Sequence, residues 1–249
     1  MHCRRIGTGP DLVLVHGWGL HAGIWAPLVE RLAAQFRLHL YDLPGHGLSV
    51  PASFSLASVS AALARSAPAQ AHWLGWSLGG LVAMDFAQRH PERVTRLALV
   101  ASTPRFVEGA DWPQALAPAV LADFAAALGA DHAATLNRFL GLAARGAPDN
   151  SVLRTLRRAL LAVPPPSPAA LASGLAILRA TDLRAPVSAL PMPVLWLAGA
   201  RDTLVPVAAL RAQVAAHPRQ RLCEFAQAGH APFLSHPDAF TAALTAFLA

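Results

Sequence analysis

The residues able to do chemistry gather around one serine. In "WLGWSLGGLVA" (73–83), Ser77 lies between Gly75 and Gly79, where a short apolar run meets an apolar segment of helical character. The Gly-x-Ser-x-Gly pattern at a strand end and helix start has a steric reason. A serine on a strained strand-to-helix turn holds its hydroxyl clear of the sheet, and only small neighbours let the two backbones pass. The helix N-terminus adds unpaired N–H groups and the positive end of a dipole beside that hydroxyl. The plainer alternative is a glycine turn used for packing or phosphate binding. A dinucleotide site, however, needs Gly-x-Gly-x-x-Gly, which "GWSLGG" does not supply. Ser77 is the candidate nucleophile.

A serine hydroxyl near neutral pH needs a base, and the base needs an orienting acid. Eleven histidines compete for the first role. His90 and His217 stand at helix ends before Pro91 and Pro218, where a dipole-favoured cap explains them. His16 and His46 fall in glycine turns after strands, and His236 marks a helix boundary. His230, in "AGHAPFLSHP" (228–237), sits in a loop after the last strand. Its neighbours Gly229 and Ala231 are small, so its imidazole can reach the strand ends. Asp202 closes a strand-like segment in "LAGARDTLVP" (197–206); Asp42 also follows a strand, but in a glycine turn that reads as structural. The order Ser77, Asp202, His230 is the α/β-hydrolase order. An acyl-transfer site also needs oxyanion donors, and the backbone N–H groups of Trp18 in "HGWG" (16–19) and of Leu78 offer them.

These groups must be carried by a sheet. "DLVLVHGW" (11–18), "FRLHLYDLPG" (36–45), "AHWLGW" (71–76) and "RLALVAS" (96–102) read as short buried strands. Ile24, Leu28, Val29 and Leu32 are at helical spacing within 22–35, and "LGGLVAMDFAQRH" (78–90) reads as the next helix. Such alternation predicts a parallel sheet with right-handed crossovers and helices on both faces. From about Pro104 to Pro186 there is no strand candidate, only Ala- and Leu-rich helical stretches and the proline-dense "VPPPSPAAL" (163–171). Strand signals return at 192–202 and 220–230, with helices over 206–217 and 237–249. The expected fold class is α/β, a mostly parallel doubly wound sheet whose core, 1–103 and 187–249, is interrupted by a helical cap over 104–186.

Composition narrows the function classes. The 249 residues are 54% hydrophobic and 14% charged, which fits a folded domain rather than a disordered chain. No apolar run reaches the roughly 18 residues that span a bilayer, and Leu12 to Val15 is too short for a secretory core. A cytoplasmic monomer without membrane contact is expected. Cys3 and Cys223 show neither metal-ligand spacing nor a disulfide framework, and Cys223 in "RLCEFA" reads as a small buried hydrophobe. No metal or cofactor is called for. All 20 basic residues are arginines, and the formal charge is +6. No basic run interleaved with aromatics points to nucleic acid; an acidic partner is the milder implication.

"VLVHGWG", "DLPGHGLS", "WLGWSLGGLVA", "HPERV", "GARDTLVP" and "GHAPFLSHP" together resemble α/β-hydrolases over nearly the whole chain. The tryptophans of "HGWGLHAGIW" and "LGWSLGG", with "RFLGLAARG" and "GLAILRATDLR", narrow the resemblance to the pimeloyl-acyl-carrier-protein methyl ester esterases of biotin synthesis. That family hydrolyses a methyl ester at the end of a pimeloyl chain held on an acyl carrier protein. The resemblance implies such a carrier as partner. It also implies substrate contacts at Trp18, Ser77, Leu78 and His230 and at Phe139, Leu140, Gly141, Leu142 and Ala143. The cap departs most from the family's sequence.

Read by itself, "SVLRTLRRALLAV" (151–163) sets Leu153, Leu156, Leu160 and Val163 on one helical stripe and Arg154, Arg157 and Arg158 on another face. Arg138 precedes them, and no acidic residue falls between 150 and 181. A solvated face is the plain reading. Docking of an acidic carrier by Arg138, Arg154 and Arg158 is the functional one. The main expectation is a serine carboxylesterase acting on a carrier-bound acyl methyl ester. Alternatives are a short-chain carboxylesterase, a thioesterase, a carbon–carbon bond hydrolase, or a non-catalytic ligand receptor on the same scaffold. Ser77 counts against dehalogenases and epoxide hydrolases, which use aspartate at this turn, and a nucleotide-binding oxidoreductase lacks its glycine fingerprint.

Overall fold

The computed structural model describes residues 1–217 and 219–249. Its strands are β1 (Cys3–Ile6), β2 (Asp11–Val15), β3 (Arg37–Tyr41), β4 (Ala71–Trp76), β5 (Val94–Val100), β6 (Val194–Gly199) and β7 (Gln220–Phe225). They form one sheet in the order β1-β3-β2-β4-β5-β6-β7. Only β1 runs antiparallel, pairing Cys3 with Tyr41 and Ile6 with Leu38. Every other pairing is parallel. Burial along β2, β4 and β6 is nearly continuous, as strands covered on both faces require. The edge strand β1 was not foreseen, because "CRRI" carries two exposed arginines and no apolar run.

Helices α1 (Ala26–Leu32), α2 (Leu56–Ser66) and α3 (Leu78–Arg89) come from the first part of the chain; α3 packs on β2, β4 and β5, α2 packs against α3, and α1 packs against the C-terminal helix. The helix expected over 22–35 is shorter. Residues Ala22–Trp25 form a tight 3₁₀ turn capped by the His21 side chain, and α1 starts beside Pro27. Helix α2 was also unforeseen, since its buried stripe is only Val59, Ser60 and Leu63; a Ser55–Ser58 capping box starts it. Behind the sheet, the Asp85 carboxylate of α3 accepts from Ser60 Oγ at 2.5 Å and Arg89 Nε at 2.8 Å, tying α2 to α3.

Between β5 and β6 the described chain forms α4 (Pro118–Ala130), α5 (His132–Ala144), α6 (Ser151–Leu161), α7 (Pro168–Ala180) and α8 (Arg184–Ser188), with isolated bridges at Val107–Leu116 and Gly109–Trp112. The buried side of α6 differs from the expected stripe: Val152 and Leu156 are buried, Leu153 and Leu160 half-buried, and Val163 lies beyond the helix. Helices α9 (Val207–Ala216), α10 (Pro232–Ser235) and α11 (Pro237–Leu248) complete the chain. Pro218, read above as the stop after His217, lies outside the described residues. Cys223 is half-buried, because it sits on the edge strand β7.

Two turns at the ends of β2 and β3 are locked together by histidines. His16 Nδ1–H donates to Gly17 O at 2.8 Å, and its Nε2 accepts from Leu43 N at 3.0 Å. His46 Nδ1–H donates to Pro44 O at 3.0 Å, and the two imidazole rings lie 5.4 Å apart. Burial pushes His16 down to about 3, with repulsion from His46 adding to it, and burial pushes His46 down to about 4. Burial alone would raise Asp42, but N–H groups of Ala22 and Leu48 on its carboxylate hold it below its ordinary value.

The folded protein therefore keeps both histidines neutral while the unfolded chain protonates them near pH 6.5. Stability is full above that pH and is lost as pH falls towards the folded values. Urea-unfolding midpoints should hold steady above about pH 7. Between about pH 6 and 4.5 stability should fall by up to ~1.4 kcal/mol per pH unit for each histidine. His46→Gln should remove part of that slope; an unchanged profile in the variant would contradict the assignment.

Candidate active site

Ser77 occupies the turn between β4 and α3 with φ 54° and ψ −119°, a left-handed conformation rare for a residue with a side chain. Glycine is required on both sides. A Cβ at Gly75 would come within 2.5 Å of Gly79 O, and one at Gly79 would overlap the Val15 carbonyl oxygen. The strained residue is held by its backbone. Ser77 N–H donates to Val100 O at 2.9 Å, while Ser77 O accepts from Ser102 Oγ at 2.8 Å and Gly80 N at 2.9 Å. Ser102 is buried just after β5, and nothing in "VAST" (100–103) marks it as a support for Ser77. Its neighbour Ala101 is the only other non-glycine with positive φ among the described residues, at 42°.

His230 and Asp202 meet at the ends of β7 and β6. His230 Nδ1–H donates to Asp202 Oδ2 at 2.7 Å, and both side chains are 1% exposed. The other carboxylate oxygen accepts from Leu204 N at 2.8 Å and Val205 N at 3.0 Å, so Asp202 cannot rotate away. With Nδ1 carrying the proton, His230 Nε2 keeps its lone pair; it is buried and makes no hydrogen bond. The loop that carries His230 is fixed by Trp76, whose indole N–H donates to His230 O at 2.8 Å. Asp42 has no such role, since its carboxylate is taken up by Ala22 N, Leu48 N and His2 Nδ1. His236 instead pairs with Ser235 Oγ at 2.8 Å.

The turn after β2 lies against Ser77: a Cβ at Gly17 would sit 3.2 Å from Ser77 Cβ. The N–H groups of Trp18 and Leu78 form no turn or cap hydrogen bond among the described residues. That leaves both available as donors at the N-terminus of α3.

A tight cavity covers the serine. Its walls are Trp18, Ser77, Phe106, Leu116, Leu121, Phe124, Phe139, Leu175, Leu178 and Leu204, and its lumen is about 20 Å³, scarcely more than one water needs. Of the stretch Phe139 to Ala143, only Phe139 reaches this wall. Leu140 and Ala143 are buried elsewhere and Gly141 is exposed, because successive helical residues turn about 100° apart. Nothing in the sequence marks the other wall residues from α4 and α7, as a Leu or Phe on a helix there looks like any core residue. Arg138 is exposed and stacks 4.9 Å over the Phe124 ring, while Arg154 and Arg158 are exposed on α6. Larger clefts, about 320 Å³ beside Ser188 and His217 and about 570 Å³ between α5, α6 and the proline segment, contain none of the expected triad residues.

The model of the alpha/beta hydrolase fold family matches residues 10–237. The pimeloyl-[acyl-carrier protein] methyl ester esterase of Xanthomonas axonopodis pv. citri is 50% identical, with 100% of this chain and 99% of the relative covered. The esterase of the same name from Stenotrophomonas maltophilia strain K279a is 48% identical over 100% of this chain and 96% of the relative. Among solved structures, a hydrolase from Pseudomonas aeruginosa superposes with TM-score 0.81 at 30% identity, covering 99% and 93% of the two chains. An esterase from Exiguobacterium antarcticum superposes with TM-score 0.89 at 20% identity, covering 99% and 94%. At that identity the second likeness concerns the fold alone.

The crossing at Gly79 leaves no room for a methyl group because the opposing atoms are backbone. Gly79→Ala should lower stability by at least about 1–3 kcal/mol, the usual cost of overpacking. Thermal denaturation of the purified variant checks this, and a parent-like melting temperature would show that the crossing is looser than described.

Proposed function

Because the chain belongs to the α/β-hydrolase family, we propose that it is a serine carboxylesterase acting on the methyl ester of a pimeloyl chain borne by an acyl carrier protein. The observation that carries the chemistry is the buried His230–Asp202 pair at the strand ends that also hold the strained Ser77. The substrate follows from esterases half identical to this chain over its whole length.

In this reading Ser77 Oγ attacks the ester carbonyl as His230 Nε2 takes its proton. The carbonyl oxygen, now negative, is met by the N–H groups of Trp18 and Leu78. His230 then protonates the departing methanol. A water, activated by the same nitrogen, attacks the acyl-enzyme and frees the acid and Ser77. Asp202 holds the neutral imidazole in the tautomer that leaves Nε2 basic, and stabilises the imidazolium that follows. Residues 104–186 act as a cap over a core made of 1–103 and 187–249. Phe124, Phe139, Leu175 and Leu178 offer apolar surface to methylene groups. The carboxylate product gains nothing from such walls, which favours its departure.

Arg138, Arg154 and Arg158 present positive charge on the outside of α5 and α6 and suit an acidic carrier. A cytoplasmic monomer is the setting this reading implies. A second reading is a carboxylesterase for short free esters, which would use the same apolar wall beside Ser77 without a carrier. Comparing kcat/KM on a pimeloyl-carrier methyl ester with that on a free short ester separates the two, and preference for the free ester would overturn the carrier-bound assignment.

Ser77→Ala should remove at least ~10⁴-fold of the hydrolysis of any ester, and Asp202→Asn should lower kcat by about 10⁴ while the protein stays folded. A rate within tenfold of the parent in either purified variant would move the triad elsewhere. Replacing Arg138, Arg154 and Arg158 together by alanine should lower kcat/KM on the carrier-bound ester about tenfold and leave a small free ester nearly unchanged. Salt should slow the parent on carrier-bound substrate only, because exposed charges are screened beyond about 8–10 Å. Equal loss on both substrates would signal a damaged cap rather than a docking face.

A further inference from the structure

Trp18 is wholly buried where the core meets the cap. Its indole Nε1–H donates to Leu171 O on α7 at 2.8 Å, a bond spanning 153 residues of chain. The ring packs edge-on against Phe139 of α5, with centroids 5.0 Å apart, and Phe124 of α4, at 6.3 Å. Helix α7 meets it with Gly174, where a Cβ would come within 2.6 Å of the indole Cδ1. Next along the turn, Gly19 has φ +73°, and a Cβ there would reach 2.6 Å from Leu136 of α5. Three cap helices thus grip a turn whose backbone N–H is the donor assigned to the oxyanion.

That N–H and the indole belong to one residue, and in packed surroundings the torsions between them are restricted to one staggered well. Where α7 holds the indole, it also fixes the direction of the backbone donor. Apolar packing alone would be served by phenylalanine; the indole N–H adds a directional bond to a particular carbonyl of the cap. The lumen beside Ser77, about 20 Å³, is too small for an ester, so substrate enters only when cap or wall residues shift.

Resting on the serine-esterase reading above, we propose that Trp18 is a positioning residue through which the seating of α7 sets the oxyanion turn. With α7 displaced for entry, the indole loses its acceptor and the Trp18 N–H loses its aim. With α7 back on the indole, the donor returns to the carbonyl oxygen. Cap closure and transition-state stabilisation are then one event, and an ester that holds the cap open is bound without being turned over efficiently.

Trp18→Phe keeps an aromatic ring and removes the N–H. Two rates read the result: hydrolysis of a short chromogenic ester, and phosphonylation of Ser77 by a small organophosphonate, which develops charge in the same hole. Complete loss of an oxyanion donor costs about 10²–10³ in kcat, and a donor that is misaimed should lose at least about tenfold. The expected pattern is a fall of about tenfold or more in kcat and in the phosphonylation rate, KM within about threefold, and a melting temperature within a few degrees of the parent. Gly174→Ala presses on the indole from the cap side and should give the same pattern if Trp18→Phe does not fold. A folded variant with parental kcat and phosphonylation, or a loss confined to KM, would overturn the proposal and leave Trp18 as cavity wall. A parent inert to both reagents would instead remove the esterase reading, and the proposal with it.

Discussion

The crossing of α3 over the end of β2 is the constraint on which the rest of the structure depends. Gly79 comes so close to the carbonyls of Val15 and His16 that no side chain fits between them. That approach forces Ser77 into positive φ, a strain worth on the order of 1–3 kcal/mol. It persists because Ser77 N–H and C=O are both bonded, to Val100, Gly80 and Ser102. The same closeness brings the turn that carries Trp18 against the serine. The candidate nucleophile and the candidate oxyanion donors thus share a single packing event.

The supports reach outward from that point in opposite directions. Beneath the turn, His16 joins the ends of β2 and β3, its Nε2 accepting from Leu43 N as only a neutral imidazole can, with the His46 ring 5.4 Å away. Behind it, Asp85 links α3 to α2 and accepts from the Arg89 side chain as well. On another side, Trp18 ties the turn to α7 through the Leu171 carbonyl. Across the sheet, Trp76 fixes the backbone of His230, and two N–H groups fix Asp202. Most of these bonds join a side chain to the main chain, which holds loops as firmly as a strand ladder holds strands. Loops at the strand ends can therefore carry groups that must stay within tenths of an ångström.

Charge is sorted by depth. The cavity wall is apolar apart from Ser77, so a dipole or ion there faces little competing solvent and each N–H counts for more than in water. The arginines stay outside, where they attract without burying an unpaired charge. Arg138 marks the boundary, its guanidinium over the outer face of Phe124 while Phe124 lines the cavity.

Much of this was legible in the sequence because it rests on local sterics and local period. Gly-x-Ser-x-Gly at a strand end, apolar runs stopped by glycine or proline, and a strandless stretch from 104 to 186 are properties of neighbouring residues. The backbone obeys them whatever the rest of the chain does. The polar edge strand β1 and the thinly apolar α2 escaped because neither carries a hydrophobic signature strong enough to announce it. Ser102 behind Ser77, the acceptor of the Trp18 indole, and the choice of Phe139 alone from the stretch 139–143 as cavity wall were decided only by tertiary structure. Each depends on which atoms of distant segments come within about 3–4 Å, and a hydrogen bond or van der Waals contact falls off too steeply with distance for chain order to specify its partner.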